Sequence, residues 1–283
     1  KQVNISGNAV KKITVNGGIP GPTLYLEEGE EAGIHVTNHL DEDTSVHWHG
    51  LLLPGEMDGV PGLNGFKGIK PGETFTYRFR LRQSGTYWYH AHSLGQEQDG
   101  HYGALVIHPR EKDQIEAERD YVVLLSDYTE ESWKEVLSNL KMSAHYYNYN
   151  QLTLGDFFRS IGDKGIIDAL RFVRDWGEMR MSPTDLSDVS GYTFLINGKT
   201  SSENWTGIFK AGERVRLRFI NASAMSIYDV RIPGLKLKIV QADGQNVEPI
   251  LVDEFRFGVA ETYDVIVEPE SKPYTIVAEP IDR

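Results

Sequence analysis

Gly85-Thr86-Tyr87-Trp88-Tyr89-His90-Ala91-His92-Ser93 is a run of aromatic and β-branched residues that closes on a His-x-His pair, and its composition is that of a β-strand. Successive side chains of a strand point to opposite faces, so His90 and His92 share one face. Upstream, Val46-His47-Trp48-His49-Gly50 repeats the pattern, and His47 and His49 share a face in the same way. Each strand therefore offers two imidazoles in parallel. Neutral imidazole nitrogen is a preferred ligand of copper, zinc and iron, so four of them converging point to a redox-capable transition-metal site. One such pair arises by chance often enough; two in one segment, each set among large apolar residues that suit a buried strand, argue against coincidence. Imidazoles clustered there without a metal would be poorly satisfied.

Working outward, 283 residues are enough for two domains of ordinary size. Acidic side chains outnumber basic ones by 41 to 29, a net charge of −12. Nucleic acid and anionic membrane surfaces both require a basic footprint, so neither is an expected partner. No apolar run approaches the roughly 20 residues that span a bilayer, and the chain is expected to be soluble. It begins with Lys1 rather than Met, which suggests a removed leader or a start inside the gene. There is no cysteine, hence neither a disulfide nor a thiolate ligand.

Strand-like alternation dominates both ends. Phe75, Tyr77, Phe79 and Leu81 alternate with Thr76, Arg78 and Arg80, and Val215, Leu217 and Phe219 alternate with Arg216 and Arg218. From about Thr129 to Pro183 the pattern turns helical: Ser132-Trp133-Lys134-Glu135 has capping-box spacing, and apolar patches follow at Asp156-Phe157-Phe158 and Ile166–Leu170. The expected fold is mainly β, with a first β-domain over residues 1–118, a partly helical connector over 119–187 and a second β-domain over 188–283.

The two β-regions also resemble each other. Asn16-Gly17, Glu28-Gly29-Glu30, Val36-Thr37-Asn38, Met57-Asp58-Gly59 and Gly72-Glu73-Thr74-Phe75 recur in order as Asn197-Gly198, Ala211-Gly212-Glu213, Phe219-Ile220-Asn221, Ala242-Asp243-Gly244 and Ala260-Glu261-Thr262-Tyr263. Opposite the first histidine pair stand Tyr228 to Val230, and opposite His90 and His92 stand Val277 and Glu279. Histidine at those positions is therefore not a requirement of the fold.

His47-Trp48-His49-Gly50, Met57-Asp58-Gly59-Val60-Pro61-Gly62 and the stretch Gly85–Ser93 together strongly resemble the first cupredoxin domain of multicopper oxidases. Gln96-Glu97-Gln98, Tyr102-Gly103-Ala104 and Met179-Arg180-Met181-Ser182-Pro183-Thr184-Asp185-Leu186 resemble the bacterial CopA-type copper-resistance subgroup, and the likeness runs through Ala260–Val265. It implies two cupredoxin-like Greek-key β-sandwiches and a trinuclear copper cluster shared with a third domain. His47 would bind the type 2 copper, and His49, His90 and His92 the paired type 3 coppers. Asp58 would manage protons as dioxygen is reduced to water; the other reading makes it a turn residue before Gly59, as Asp243-Gly244 suggests. The resemblance further implies a periplasmic protein of copper resistance, with copper ions and dioxygen as partners.

The chain also departs from that family. A type 1 copper takes electrons through a cysteine thiolate, and this chain has none. A third cupredoxin domain, which would supply the other cluster histidines, is expected to lie outside these residues. The expectation is half a cluster: the first two domains of an oxidase that oxidises a substrate, Cu(I) in this subgroup, with no turnover by this chain alone. The runner-up is a periplasmic protein that sequesters copper without turnover, and a third reading is a metal-free scaffold. His35, His39, His101, His108 and His145 read as surface or packing residues. Met179 and Met181 offer thioethers suited to Cu(I), although helix packing is the stronger reading. Asn204-Trp205-Thr206 and Asn221-Ala222-Ser223 fit the glycosylation pattern, without relevance in a bacterial protein.

Overall fold

The structure is a computed structural model that describes residues 1–149, 152–178 and 187–281; Met179 and Met181 lie outside them. After a short hairpin of β1 (Gln2–Asn4) and β2 (Ala9–Lys11), a first sandwich is built from β3 (Leu24–Glu27), β4 (Glu31–Thr37), β5 (His47–His49), β6 (Thr74–Arg80), β7 (Gly85–His90) and β8 (Tyr102–His108). One sheet has the order β3-β8-β7-β5, and β4 pairs with β6 in the other. The alternation in β6 does what it predicts: Tyr77 and Phe79 turn inward while Thr74, Arg78 and Arg80 stay exposed. They meet Trp48, Tyr87, Tyr89, Leu105 and Ile107 in one core. Trp48 lies edge-on to Tyr77 and Phe79. Because Trp48 points inward, His47 and His49 on either side of it point out of the sandwich.

The second sandwich contains β9 (Arg119–Tyr128), β10 (Thr193–Ile196), β11 (Val215–Asn221), β12 (Tyr228–Arg231), β13 (Leu237–Ala242), β14 (Gln245–Val252), β15 (Glu254–Phe257), β16 (Thr262–Val267) and β17 (Val277–Pro280). Its sheets have the orders β10-β9-β11-β16-β13-β14 and β15-β12-β17. Strand β9, which the sequence pattern put at the head of the connector, is an inner strand here and runs parallel to β11. Parallel pairing needs a long crossover, and the connector supplies it. Its helices are α1 (Trp133–Met142), α2 (Leu154–Lys164) and α3 (Ile166–Glu178). The predicted capping box is formed: Ser132 Oγ accepts from Glu135 N, and the Glu135 carboxylate accepts from Ser132 N. Thr153 and Asp156 cap α2 in the same fashion.

The internal repeat is physical. The pairs β4·β6 and β5·β7 recur as β11·β16 and β12·β17. Asn38 donates to the carbonyls of Glu42 and Ile69 and accepts from Leu40 N; Asn221 donates to Ser226 and Phe257 and accepts from Ser223 N. Asn16-Gly17 and Asn197-Gly198 both take left-handed φ values (52° and 88°, 51° and 76°), as a type I′ turn demands.

Strand β7 is buried along its whole length because its two faces meet different sandwiches. Tyr87 and Tyr89 fill the first core, while Thr86, Trp88 and His90 face outward. Trp88, Tyr102 and Ala104 pack there against Leu124, Ile220 and Ala222 of the second sandwich. Beside this seam, Thr86 Oγ1 donates to the fully buried Asp264 at 2.6 Å and accepts from Arg218 at 2.9 Å. The arginines that alternate along β11 thus face a junction, not water: Arg216 and Arg218 converge on Asp264, with Asp113 and Asp120 beyond.

Candidate metal centre

In the antiparallel register of β5 and β7, His47 stands directly opposite His90, and His49 opposite Trp88. Pairing two His-x-His strands in this register gathers imidazoles that the sequence separates. One nitrogen from each of His47, His49 and His90 lies within 4.8 Å of the other two, the one metal-competent group of side chains among the described residues. His92 follows the end of β7 and is more exposed. Its ring centroid is 5.6 Å from that of His47 and 6.0 Å from that of His90, so it borders the tight trio without joining it. The five single histidines stay outside this group: His35 meets Thr76 at the surface, His108 stacks on Tyr25, and His101 is buried against Thr44.

Each ring is turned by what its other nitrogen meets. His47 Nδ1 donates to the Asp58 carbonyl at 2.8 Å, with the Asp58 carboxylate 3.5 Å away. His90 Nδ1 faces two acceptors, the Ala91 carbonyl at 3.0 Å and the Glu97 carboxylate at 2.7 Å. In both residues the proton therefore sits on Nδ1 and the lone pair on Nε2 is left for the cluster. His49 is reversed: its Nδ1 faces His90 Nε2 at 3.3 Å. Trp88 stacks on His90 at 4.2 Å with 15° between the rings and also flanks His49.

Electrostatics favour the neutral form of His47 and His49. Burial pushes the His49 pKa down to about 4, and its imidazole neighbours push the same way. Burial also lowers that of His47, against the raising effect of the Asp58 carbonyl and carboxylate. Uncharged imidazoles with free lone pairs are the ligating form.

The donor set fits copper. Two nitrogens 3.3 Å apart, neither able to satisfy the other without a proton between them, match two ligands of one ion at bond lengths of roughly 2.0–2.1 Å. Imidazole-only coordination suits copper among the redox metals.

Asp58 serves both of its sequence readings. It follows a single 3₁₀ turn, Gly55–Met57, and Gly59 after it has φ +81°, where a Cβ would strike the Val46 carbonyl. Yet its carboxylate also faces His47, whereas Asp243 in the repeat spends its carboxylate on Thr262 N. Glu97 and Trp88 were not singled out as site residues in the sequence. Trp88 could have been, since it sits two residues before His90 on the same face.

Multicopper oxidase family models match residues 1–112 and 119–282. The chain is 53% identical to copper resistance protein A of Escherichia coli over 283 residues, 99% of this chain and 47% of that protein. It is also 53% identical to a copper resistance protein A homolog of Pseudomonas syringae pv. tomato, over 100% of this chain and 48% of that one. It thus spans about half the length of these relatives. Its fold superposes on Fet3p, a multicopper oxidase that functions in iron import, with a TM-score of 0.76 at 24% identity, covering 99% of this chain and 46% of that one. The fold is mainly β and cupredoxin-like.

Proposed function

The chain belongs to the multicopper oxidase family, and from that premise we propose that it forms the N-terminal two-domain part of a periplasmic copper-resistance oxidase. The observation that carries the reading is the convergence of His47, His49 and His90 within 4.8 Å, with His47 and His90 held through Nδ1. His47 is assigned to the type 2 copper, and His49, His90 and His92 to the type 3 pair; the exposed His92 stands at the rim of the trio, its ring centroid 5.6 Å from that of His47. Copper bound there supplies one-electron redox chemistry and the reduction of dioxygen to water. The side chains of this chain present imidazole nitrogens, turn two of them by second acceptors, and cover one side of the cluster with Trp88. Asp58, with its carboxylate 3.5 Å from His47 Nδ1, is placed to hold and pass a proton beside the cluster. A partner segment of the whole protein, a third cupredoxin domain, would complete the ligand set, and Cu(I) is the proposed substrate.

A second reading, copper sequestration without turnover, is favoured for this chain in isolation by one observation. With no cysteine it has no type 1 site through which electrons could enter. Copper titration against a competing chelator tests the site: the chain should bind copper, and the fourfold variant H47A/H49A/H90A/H92A should lose that binding. An oxygen electrode with Cu(I) as reductant tests the rest. Sustained oxygen uptake by this chain alone would overturn the electron-entry argument, and copper binding by the fourfold variant would overturn the site.

A further inference from the structure

We infer that Glu97 is the positioning residue of His90: it holds the imidazole in the Nδ1–H tautomer and makes it a stronger metal donor. The inference rests on the copper-site reading above and deepens it. The Glu97 carboxylate oxygen lies 2.7 Å from His90 Nδ1 as an ion-pair contact, while the hydrogen bond of Nδ1 goes to the Ala91 carbonyl at 3.0 Å, so the carboxylate acts on the ring chiefly through its charge. Among the described residues His90 is the one ion-pair partner of that carboxylate. An anionic acceptor on the far nitrogen of an imidazole fixes which nitrogen is free and raises its basicity. Stacking on Trp88 sets the plane of the ring, and the Ala91 carbonyl and the Glu97 carboxylate, both on the Nδ1 side, set its rotation within that plane. Both rings have a backbone carbonyl on Nδ1, but at His47 the nearest carboxylate, that of Asp58, is farther off, at 3.5 Å. The two ligands that face each other across the β5–β7 pair are therefore electronically unequal.

The loop that carries Glu97 is built to hold it still. Gln96, fully buried, accepts from Thr44 Oγ1 at 2.7 Å and donates to the Asp43 carbonyl at 2.8 Å, which ties the loop to the segment entering β5. Asp99 accepts from the buried Lys12 at 2.9 Å and from Trp133 N at 3.0 Å, which ties it to the start of α1. Residues on both sides of Glu97 are thus clamped, one of them to the segment that leads directly to His47 and His49. A carboxylate on a mobile loop could not enforce a tautomer; this one can.

The test uses the 283-residue chain and two readouts. In metal-free protein at neutral pH, the ¹⁵N shifts of the His90 ring should report the Nδ1–H tautomer, and E97A, which keeps only the Ala91 carbonyl on that nitrogen, should show a larger share of the Nε2–H form. In titrations with copper ion alone against a chelator, E97A should bind about 10- to 100-fold more weakly, the loss usual for an outer-shell partner of a histidine ligand. E97Q keeps an acceptor oxygen without the charge, so it should retain the tautomer and lose under about tenfold; it also serves if E97A fails to fold. If E97A leaves both tautomer and affinity unchanged while H90A abolishes binding, the role of Glu97 is refuted and the copper site stands. If the wild-type chain takes up no copper through its histidines, the site reading fails, and the His90 tautomer alone then decides for or against Glu97.

Discussion

Replacing Asp264 by alanine should destabilise the chain more than any other single carboxylate removal at the seam between the sandwiches. Asp264 is fully buried, and the arginines that meet it, Arg216 and Arg218, are each 3% exposed. It accepts from Arg216 Nε at 2.8 Å, from Arg218 Nη1 at 3.2 Å and from Thr86 Oγ1 at 2.6 Å. Removing one partner of a buried ion pair costs about 3–5 kcal/mol, because the remaining charge stays in a poorly solvated place. Arg216 keeps Asp113 and Arg218 keeps Asp120, which pulls the cost toward the lower end. The orphaned Thr86 hydroxyl adds about 1 kcal/mol in the other direction. The expected loss is therefore about 3–5 kcal/mol, or roughly 10 °C in melting temperature, read from urea unfolding followed by tryptophan fluorescence. Asp229, which pairs with the two-thirds-exposed Arg256, is the control, since such a surface pair is worth under about 1 kcal/mol. An Asp264→Ala variant that loses no more than Asp229→Ala would refute the claim that this buried cluster fastens the two sandwiches.

Three further outcomes follow from the geometry around the histidines. Burial holds the His101 pKa down at about 4, against an ordinary value near 6.5. Between pH 6.5 and 4 the unfolded chain takes up a proton that the folded chain refuses, so the stability present above pH 6.5 falls by up to about 3 kcal/mol as the pH drops to 4. The stability difference between wild type and His101→Asn should shrink across that window, and parallel curves would contradict it. Gly59→Ala should cost about 2 kcal/mol or more by denaturation, since φ +81° is strained for alanine and the new methyl group meets the Val46 carbonyl. It should also weaken copper binding, because the same turn presents the Asp58 carbonyl to His47; unchanged copper affinity would show that the turn does not set that ring. Asp58→Ala, by contrast, should change copper affinity by less than about threefold, since the backbone carbonyl that orients His47 remains. Its effect should appear in the dioxygen-reducing turnover of the whole protein, measured by oxygen uptake; a large affinity loss would instead make the carboxylate an orienting group.

The histidine pairs were legible in sequence because strand periodicity alone puts each pair on one face, whichever strand lies alongside. Their convergence was not, because register depends on which residues of β5 and β7 face each other, and no local pattern specifies His47 opposite His90. The capping box at Ser132 was legible for the opposite reason: every atom it uses lies within four residues. Strand β9 went to the second sandwich because its alternation is the same whichever sheet it joins, and only the parallel partner β11 distinguishes them. Arg216 and Arg218 read as the solvent face of a strand, since alternation separates one face from the other without saying what covers either. At the site itself, Asp58 was found through its carboxylate, whereas the shorter contact to His47 comes from its backbone carbonyl, a group every residue carries and no sequence can flag. Glu97 reaches His90 from a loop whose conformation is set by Gln96 and Asp99, contacts that cross 50 residues or more to Thr44 and Lys12.

The second sandwich shows what the scaffold carries when it holds no imidazoles. It keeps the asparagine locks at Asn38 and Asn221 and the left-handed turns that let the chain double back, with Gly72 at φ +78° matched by Ala260 at +67°. On the outward face of β12 and β17, where the first sandwich has its histidines, it carries ion pairs: Asp229 with Arg256, and Arg231 with both Glu254 and Glu279. Charged side chains suit that face because they can be solvated there. In the first sandwich the same face is partly shielded by Trp88 and the junction, and full charges would be costly; neutral imidazoles, each needing only one acceptor and one further partner, fit it. The locks and turns hold the strands in register, burial lowers the proton affinity of His47 and His49, and the register brings the ring nitrogens together. The candidate metal site thus belongs to the outer face of one sheet, supported by a core that the other sandwich shows can form without it.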